Sequence, residues 1–370
     1  MKKTVIFSWC LIFILFFIAP QVVYGIRNQG DAVNTENRVL AEMPELSLAT
    51  IETFPNEFEV YYNDTLPFRS KIISANSYMN YALFQESAVQ KVIIGDDNWL
   101  FYNPNGLDGD VIGDLKGETV LSEQELYAMM QNLTQVKNII ESQGKEFVIC
   151  IVPNKESLYG NKYLPTYYQS QAEQTTADIV VEYLQTNSDL RVVYPKDELL
   201  EAMAEFPEYD FCYNTDTHWN YLGSYVGARS LMQELGHEMP ALTEDKIKYQ
   251  GQYSYGLDLA NMMSMSPYIH EENAYYVDYI PKGQIISSEK DFSTEFRFET
   301  DIEDGEKIFI VRDSFCTAMA EYIASNYSDA VMIHESYYNP EMIEVENPDV
   351  IVFQCCERYI PRLLTLTATP

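Results

Sequence analysis

The sequence predicts an α/β fold with a mostly parallel sheet, and two observations carry that expectation. Apolar, strand-like runs alternate with helical patterns of about 10 to 20 residues through most of the chain, which implies βαβ units. One run, Phe147-Val148-Ile149-Cys150-Ile151-Val152, is apolar without a break, as a parallel strand covered on both faces should be.

The elements follow in order. Met1-Lys2-Lys3 is a short basic region, Val5 to Ala19 is apolar apart from Ser8, and Val23-Tyr24-Gly25 offers a small-residue cleavage site. The run is shorter than the about 20 residues that span a bilayer, although Gln21 to Tyr24 extend it past Pro20. Cleavage and retention as an anchor therefore both stay open for residues 1–25. Either way, the rest of the chain is expected outside the cytoplasm. Residues 26–46 read as a polar linker and 47–370 as the folded domain. Phe54 to Leu83 has helical spacing broken at Pro67. Val92-Ile93-Ile94 and Trp99 to Tyr102 read as a hairpin with Asp97-Asn98 in the turn.

Ser122 with Glu125 makes a capping box. Leu126, Met129, Met130, Leu133, Val136 and Ile140 then form one apolar helical face, stopped by Gly144. After the Phe147–Val152 strand, a helix is expected over about Ala172 to Thr186, then a strand over Leu190 to Tyr194 and a short helix. Asn220 to Leu235 is a further helix, closed by Gly236. Lys307 to Val311 is a strand feeding a helix from Phe315 to Ser325, and strands follow at Ala330–Ile333 and Asp349–Phe353. Residues 237–304 break the pattern with Tyr-, Gly- and Ser-rich segments. They read as an insertion at the edge of the core that could shape a substrate groove.

Composition excludes several classes. A hydrophobic content of 46%, with 29 Tyr and 18 Phe, rules out disorder. A net charge of −32 argues against nucleic acid or anionic lipid as a partner. Beyond the first 25 residues lie Cys150, Cys212, Cys316, Cys355 and Cys356, an odd and unevenly spaced set that is no disulfide framework. The four His (His218, His237, His270 and His334) form no metal-ligand spacing, so no metal is expected.

Two segments carry chemistry. In Val311-Arg312-Asp313-Ser314-Phe315 a buried strand ends and a helix is expected to begin, which exposes a hydroxyl at the carboxyl end of a parallel strand, where ligands bind. A Ser in that position is also a common helix cap. In Thr215-Asp216-Thr217-His218-Trp219-Asn220, an extended backbone would project Asp216 and His218 to one side. The carboxylate would then fix the imidazole tautomer and free the other nitrogen as a base. A structural His capping its own loop remains the alternative on spacing alone.

Together, Asp216-Thr217-His218-Trp219 and the later Asp313-Ser314-Phe315 resemble the SGNH-like acetyltransferases of the alginate O-acetyltransferase type, including the DHHW-type exported proteins of Gram-positive bacteria. Asn37-Arg38 with Met43-Pro44, Phe54-Pro55 with Phe58, Asn63-Asp64 and Pro67-Phe68-Arg69 are similar to that family's N-terminal region. Gly95 to Tyr102 looks like its hairpin, and Pro153-Asn154-Lys155 through Tyr159, with Leu164-Pro165, like its Pro-Asn-Lys element. Asp258-Leu259-Ala260 and Pro348-Asp349-Val350 with Glu357-Arg358 extend the match.

The resemblance implies a flavodoxin-like SGNH hydrolase core permuted so that Asp-x-His precedes the Ser. Ser314 would be the nucleophile, His218 the base and Asp216 its orienter. It implies O-acetylation of an exported polysaccharide through an acetyl-serine, without cofactor, with acetyl groups delivered by a membrane-bound O-acyltransferase of the MBOAT type. Where the family often has Gly before Asp-Ser, this chain has Arg312, which would narrow the approach or offer a cation to an anionic sugar. Asn154, Lys155, Arg312 and Trp219 are the oxyanion or substrate candidates, with Tyr213 and Tyr221 also near the His. Arg358, next to Glu357 at a strand end, reads as part of a structural ion pair, and Cys316 as packing. A secreted carbohydrate acetylesterase with the same triad and a non-catalytic glycan-binding assembly protein are the alternatives.

Overall fold

The computed structural model describes residues 5–15, 41–66, 68–104, 108–119 and 121–368. The expected cleavage site Val23-Tyr24-Gly25, Asn37-Arg38, Pro67 and most of the 26–46 linker lie outside the described residues. Residues 5–15 are helical, and no described helix is long and apolar enough to cross a membrane.

The chain divides into two units, Met1–Ala88 with Met262–Met265, and Val89–Asn261 with Ser266–Pro370. The boundary between them falls at 88/89. In the first unit the helical spacing resolves into two helices, α1 (Phe54–Thr65) and α2 (Arg69–Phe84). Phe68, in the left-handed region at φ 61°, lies between them.

The second unit opens with the expected hairpin, β1 (Val92–Ile94) antiparallel to β2 (Leu100–Tyr102). Asp97 and Asn98 both take positive φ in its turn, a conformation that short polar side chains tolerate. Helix α3 (Glu123–Glu141) carries the capping box, with the Ser122 side chain accepting from the Glu125 N–H and Glu125 accepting from the Ser122 N–H. All six residues of its apolar face are buried, and each contributes roughly 1.5–3 kcal/mol of transfer free energy. Gly144, at φ 77°, follows.

Next come β3 (Glu146–Val152), α4 (Lys155–Tyr163), α5 (Thr176–Asn187), β4 (Val192–Val193), α6 (Lys196–Glu205) and α7 (Tyr221–Glu234). Helix α5 starts later than the periodicity suggested, because Thr175 caps it with Asp178 in a second capping box. The strand expected over Leu190–Tyr194 keeps only two residues.

A single seven-stranded sheet holds the unit together, in the order β4-β3-β11-β9-β10-β8-β7, with β7 (Ile285–Lys290), β8 (Glu295–Thr300), β9 (Lys307–Arg312), β10 (Asp329–His334) and β11 (Val350–Cys356). From β4 to β10 the pairing is parallel, while β8 and β7 add antiparallel. Alternation along the strands explains the two cores. Val148, Cys150 and Val152 of β3 face one cluster, and Phe147, Ile149 and Ile151 face the other. The first cluster is closed by α4, α6 and α7, the second by α3 and α5.

The insertion lies at the edge of the core: a small ribbon, β5 (Ile247–Tyr249) with β6 (Tyr275–Val277), stands apart, and β7 and β8 add to the edge of the central sheet. One expectation needs correction. The helix expected over Phe315–Ser325 is broken into a 3-10 turn, Ser314–Ala318, and α8 (Ala320–Ala324). Five helical residues make no useful dipole.

Candidate active site

Three central strands end on one side of the sheet. The carboxyl end of β3 leads to Asn154 and Lys155, that of β9 to Asp313 and Ser314, and that of β11 to Glu357 and Arg358. In an open parallel sheet this is where ligands bind.

The Ser314 turn is set by Asp313, which is buried. Its Oδ1 accepts from the Phe315 N–H at 2.9 Å and from Gln354 Nε2 at 2.8 Å, and its Oδ2 accepts from the Cys356 N–H at 2.6 Å. In return the Asp313 N–H donates to Gln354 Oε1 at 3.0 Å. The Ser314 turn is thus pinned to β11 while Ser314 itself stays exposed. Its N–H donates to no protein acceptor among the described residues.

Opposite stands the loop before α7. The backbone bends at Asp216 where an extended segment was expected. Asp216 Oδ1 accepts from the His218 N–H at 3.0 Å and from His218 Nδ1 at 2.6 Å. A carboxylate can only accept, so Nδ1 carries the proton and Nε2 is left to accept from the Ser314 hydroxyl, at 2.8 Å. The separate readings of the two segments meet in one hydrogen-bonded line from Asp216 through His218 to Ser314.

Electrostatics support that protonation pattern. Burial would raise Asp216, but the charge and hydrogen bonds of His218 outweigh it and hold the carboxyl down at about 2. Burial would lower His218, whose side chain is 26% exposed. The charge and hydrogen bond of Asp216, with the charge of Asp258, overcome that and raise it above its ordinary value, while Arg358 opposes them.

The loop is held from three sides by residues whose part was not legible in the sequence. Asp258 Oδ1 accepts from the Thr217 N–H at 2.8 Å and its Oδ2 from the Thr217 hydroxyl at 2.7 Å. Glu271, fully buried, accepts from the N–H groups of Asn214 and Thr215 and from the Thr215 hydroxyl. Lys155 Nζ donates to the carbonyls of Tyr213 and Asp216. Asp258 and Glu271 come from the insertion, so that segment builds the His loop as well as its surroundings. A Gln inside the apolar run of β11 was the one available signal for the Asp313 anchor. Asp258 was marked only by the resemblance of Asp258-Leu259-Ala260 to the family's segment, and nothing marked Glu271.

The four oxyanion or substrate candidates are placed as follows. Asn154 is buried, and its Oδ1 accepts from Arg358 at 3.1 Å, which leaves Nδ2 without a protein acceptor among the described residues. Lys155 is buried under the loop and presents no charge to solvent. Arg312 is wholly buried, with its guanidinium 4.1 Å from the centre of the Phe296 ring and bonded to the carbonyls of Asp313 and Phe292. It therefore offers no cation to a sugar, and it does not narrow the approach. Trp219, at 1% exposure, is no stacking platform either. Its Nε1 donates to the Phe315 carbonyl at 3.0 Å, tying the residue after His218 to the residue after Ser314. A Cβ at Gly227 would come within 2.5 Å of that indole.

Arg358 forms no ion pair with Glu357. The Glu357 carboxylate is occupied by the Asn154 N–H, the Ser157 hydroxyl and the Tyr194 hydroxyl. The guanidinium instead lies 5.2 Å from the centre of the Phe315 ring and 4.9 Å from that of Tyr359. The thiols of Cys150, Cys212, Cys316, Cys355 and Cys356 are all free and buried, and burial raises them, so none is a competing nucleophile.

Among the described residues one cluster has metal-ligand spacing, Asp216, His218 and Asp258. Its atoms are already engaged: His218 Nδ1 with Asp216, and both Asp258 oxygens with Thr217. Beside Ser314 an open cleft of about 470 Å³ is lined by His334, Ser336, Tyr359 and Arg362. Arg362 is paired with Glu335 and lies 3.7 Å from Asp108.

Known proteins resemble this arrangement in sequence and fold. Residues 92–284, just over half of the chain, match the family described as "SGNH hydrolase-like domain, acetyltransferase AlgX". That match takes in Asp216 and His218 and stops short of Ser314. A probable alginate O-acetylase AlgJ of Pseudomonas syringae pv. tomato is 25% identical over 183 residues, 49% of this chain and 42% of that protein. Its namesake in Pseudomonas putida is 22% identical over 218 residues, 56% of this chain and 51% of that protein. The chain thus spans about half the length of the curated relatives it matches. The Bacillus cereus PatB1 structure superposes with a TM-score of 0.53 at 16% identity, over 73% of this chain and 96% of that one, a likeness of fold.

Proposed function

Because this chain belongs to the SGNH hydrolase-like acetyltransferase family of AlgX, we propose that it is an O-acetyltransferase acting on a polysaccharide outside the cytoplasm. The observation that carries the reading is the line of two hydrogen bonds, 2.6 Å from Asp216 to His218 and 2.8 Å from His218 to Ser314.

The chemistry follows from the protonation pattern. Ser314 Oγ attacks the carbonyl carbon of an acetyl ester while His218 Nε2 takes its proton. The charge that forms on the imidazolium is held by Asp216, and the charge on the tetrahedral oxygen is met by the Ser314 N–H and the Asn154 amide. The intermediate collapses, the donor oxygen leaves with the proton from His218, and acetyl-Ser314 remains. A sugar hydroxyl then repeats the sequence in reverse: it gives its proton to His218, attacks the acetyl carbon and releases Ser314 Oγ, which recovers the proton.

An acetyl donor outside the cytoplasm has to be supplied, and a membrane-bound O-acyltransferase partner of the MBOAT type fits that need. Water as the acceptor would make the same triad an acetylesterase, and the exposure of Ser314 gives water access.

The test is nitrophenol release from an activated acetyl ester by the chain lacking residues 1–25, with intact-mass detection of an acetyl adduct. Wild type should release nitrophenol and carry the adduct, and Ser314→Ala should do neither. Added oligosaccharide that accepts acetyl groups marks a transferase; release of acetate alone marks an esterase. A folded wild type with no release and no adduct would sink both.

A further inference from the structure

We infer that the chain carries a binding groove for an uncharged glycan beside Ser314, formed by β6, β7 and the Ser314–Ala318 turn. This rests on the acetyltransferase reading for its purpose but not for its measurement.

The groove, of about 580 Å³, reaches the turn that carries the proposed nucleophile. Thr317 lines it from the same 3-10 turn that opens with Ser314. With three residues per turn, positions 314 and 317 share one face and stand about 6 Å apart. Tyr221, on the first turn of α7 just after His218, lines the groove as well.

Its walls suit sugar rings. Tyr221, Tyr276 and Phe292 are 37%, 42% and 65% exposed and gather in this one groove, and apolar surface that is contiguous and rimmed by polar groups marks a ligand-binding groove. Behind them Tyr279 and Tyr322 pack edge to face at 5.4 Å, and the Tyr279 hydroxyl and Ser325 share a hydrogen bond of 2.8 Å. Burial raises both phenols, which keeps them neutral. Gln250 and Gln284 offer amides among the rings. Flat apolar faces interleaved with neutral donors and acceptors match a sugar, whose ring presents C–H on its faces and hydroxyls at its edge.

The charge of the lining decides which glycan. Among the described residues Lys290 is the sole basic one in the groove wall and Glu321 the sole acidic one, and the two are bonded to each other. In the cleft at Ser314, Arg362 is likewise paired with Glu335. On a chain of net charge −32, a polyuronate such as alginate would be repelled, and the described lining residues offer no unpaired cation to hold it. An uncharged glycan of hexose or N-acetylhexosamine units meets no such cost.

Binding is measured on Ser314→Ala protein, so no chemistry enters the readout. The probes are hexamers of glucose, of N-acetylglucosamine and of mannuronate, titrated by calorimetry in about 0.15 M salt. At least one neutral hexamer should bind with a Kd of about 1 mM or tighter, and the mannuronate hexamer should not. Tyr276→Ala and Phe292→Ala, both at exposed rings, should each weaken binding about tenfold while the melting temperature holds. Equal or tighter binding of the mannuronate hexamer, no binding of either neutral hexamer, or unchanged affinity in both variants would overturn the groove. An inactive wild type that still binds a neutral hexamer through these rings would overturn the acetyltransferase reading alone.

Discussion

The backbone N–H of Asp258 donates to Asp216 Oδ2 at 3.4 Å, so the residue that supplies the second carboxylate facing His218 also holds the first one. Asp258 Oδ2 stands 4.0 Å from His218 Nδ1 without displacing Asp216. Burial first, and then the charge of Asp216, pushes the Asp258 carboxyl up to about 6. Its charge is therefore present from mildly acidic pH upward and favours the imidazolium.

A pH–rate profile tests that arrangement. His218 must be neutral to act as a base, so activity should rise with pH, with its midpoint above the ordinary His value of about 6.5. Asp258→Asn removes a charge that raises His218 and keeps a carbonyl oxygen for the Thr217 N–H. Its rising limb should move to lower pH, with the plateau rate down by no more than about tenfold. A limb that stays in place would assign Asp258 a purely structural part.

Asp216→Asn probes the orienter. An amide cannot favour the Nδ1–H tautomer as a carboxylate does, and kcat should fall by about 10⁴. The Ser314 acetyl adduct, followed by intact mass, should form correspondingly slowly while the melting temperature changes little.

Trp219→Phe tests the link between the two loops. It leaves an aromatic ring in place and removes the donor to the Phe315 carbonyl. An unsatisfied buried carbonyl costs about 1–3 kcal/mol, readable by urea denaturation. Loss of registration between His218 and Ser314 should lower kcat about 10- to 100-fold. Wild-type kcat in this variant would refute the linking role.

Gln354→Leu tests the anchor under the nucleophile. The leucine removes both bonds to Asp313, one donated by its N–H and one accepted by its Oδ1. We expect a stability loss of about 1–3 kcal/mol together with slower acylation of Ser314. Unchanged acylation would show that the Phe315 and Cys356 N–H groups hold Asp313 unaided.

Much of the scaffold was legible before any coordinates. Continuous apolar runs gave β3, β9 and β11, the capping box at Ser122 gave the start of α3, and Asn220 marked the head of α7, which it caps with its side chain. These signals are local: a period, a cap and a stretch without polar residues are all written within one element. The elements that were misplaced have a physical cause too. The Phe315–Ser325 helix breaks because the 3-10 turn that follows Asp313 gives way at Met319 before α8 begins. Residues 285–300 carry polar side chains because β7 and β8 form the far edge of the sheet.

By itself the sequence determined the α/β class, the strands covered on both faces and the two segments that carry Asp216, His218 and Ser314, since each is written within a short stretch of chain. Only the tertiary structure decided that Ser314 and His218, 96 residues apart, stand at 2.8 Å. It also turned Arg312 and Trp219 inward and brought Asp258 and Glu271 out of the insertion to hold the His loop. The physical reason is the same in each case. A buried polar group must find a partner, and which partner it finds depends on where the sheet carries segments distant in the chain.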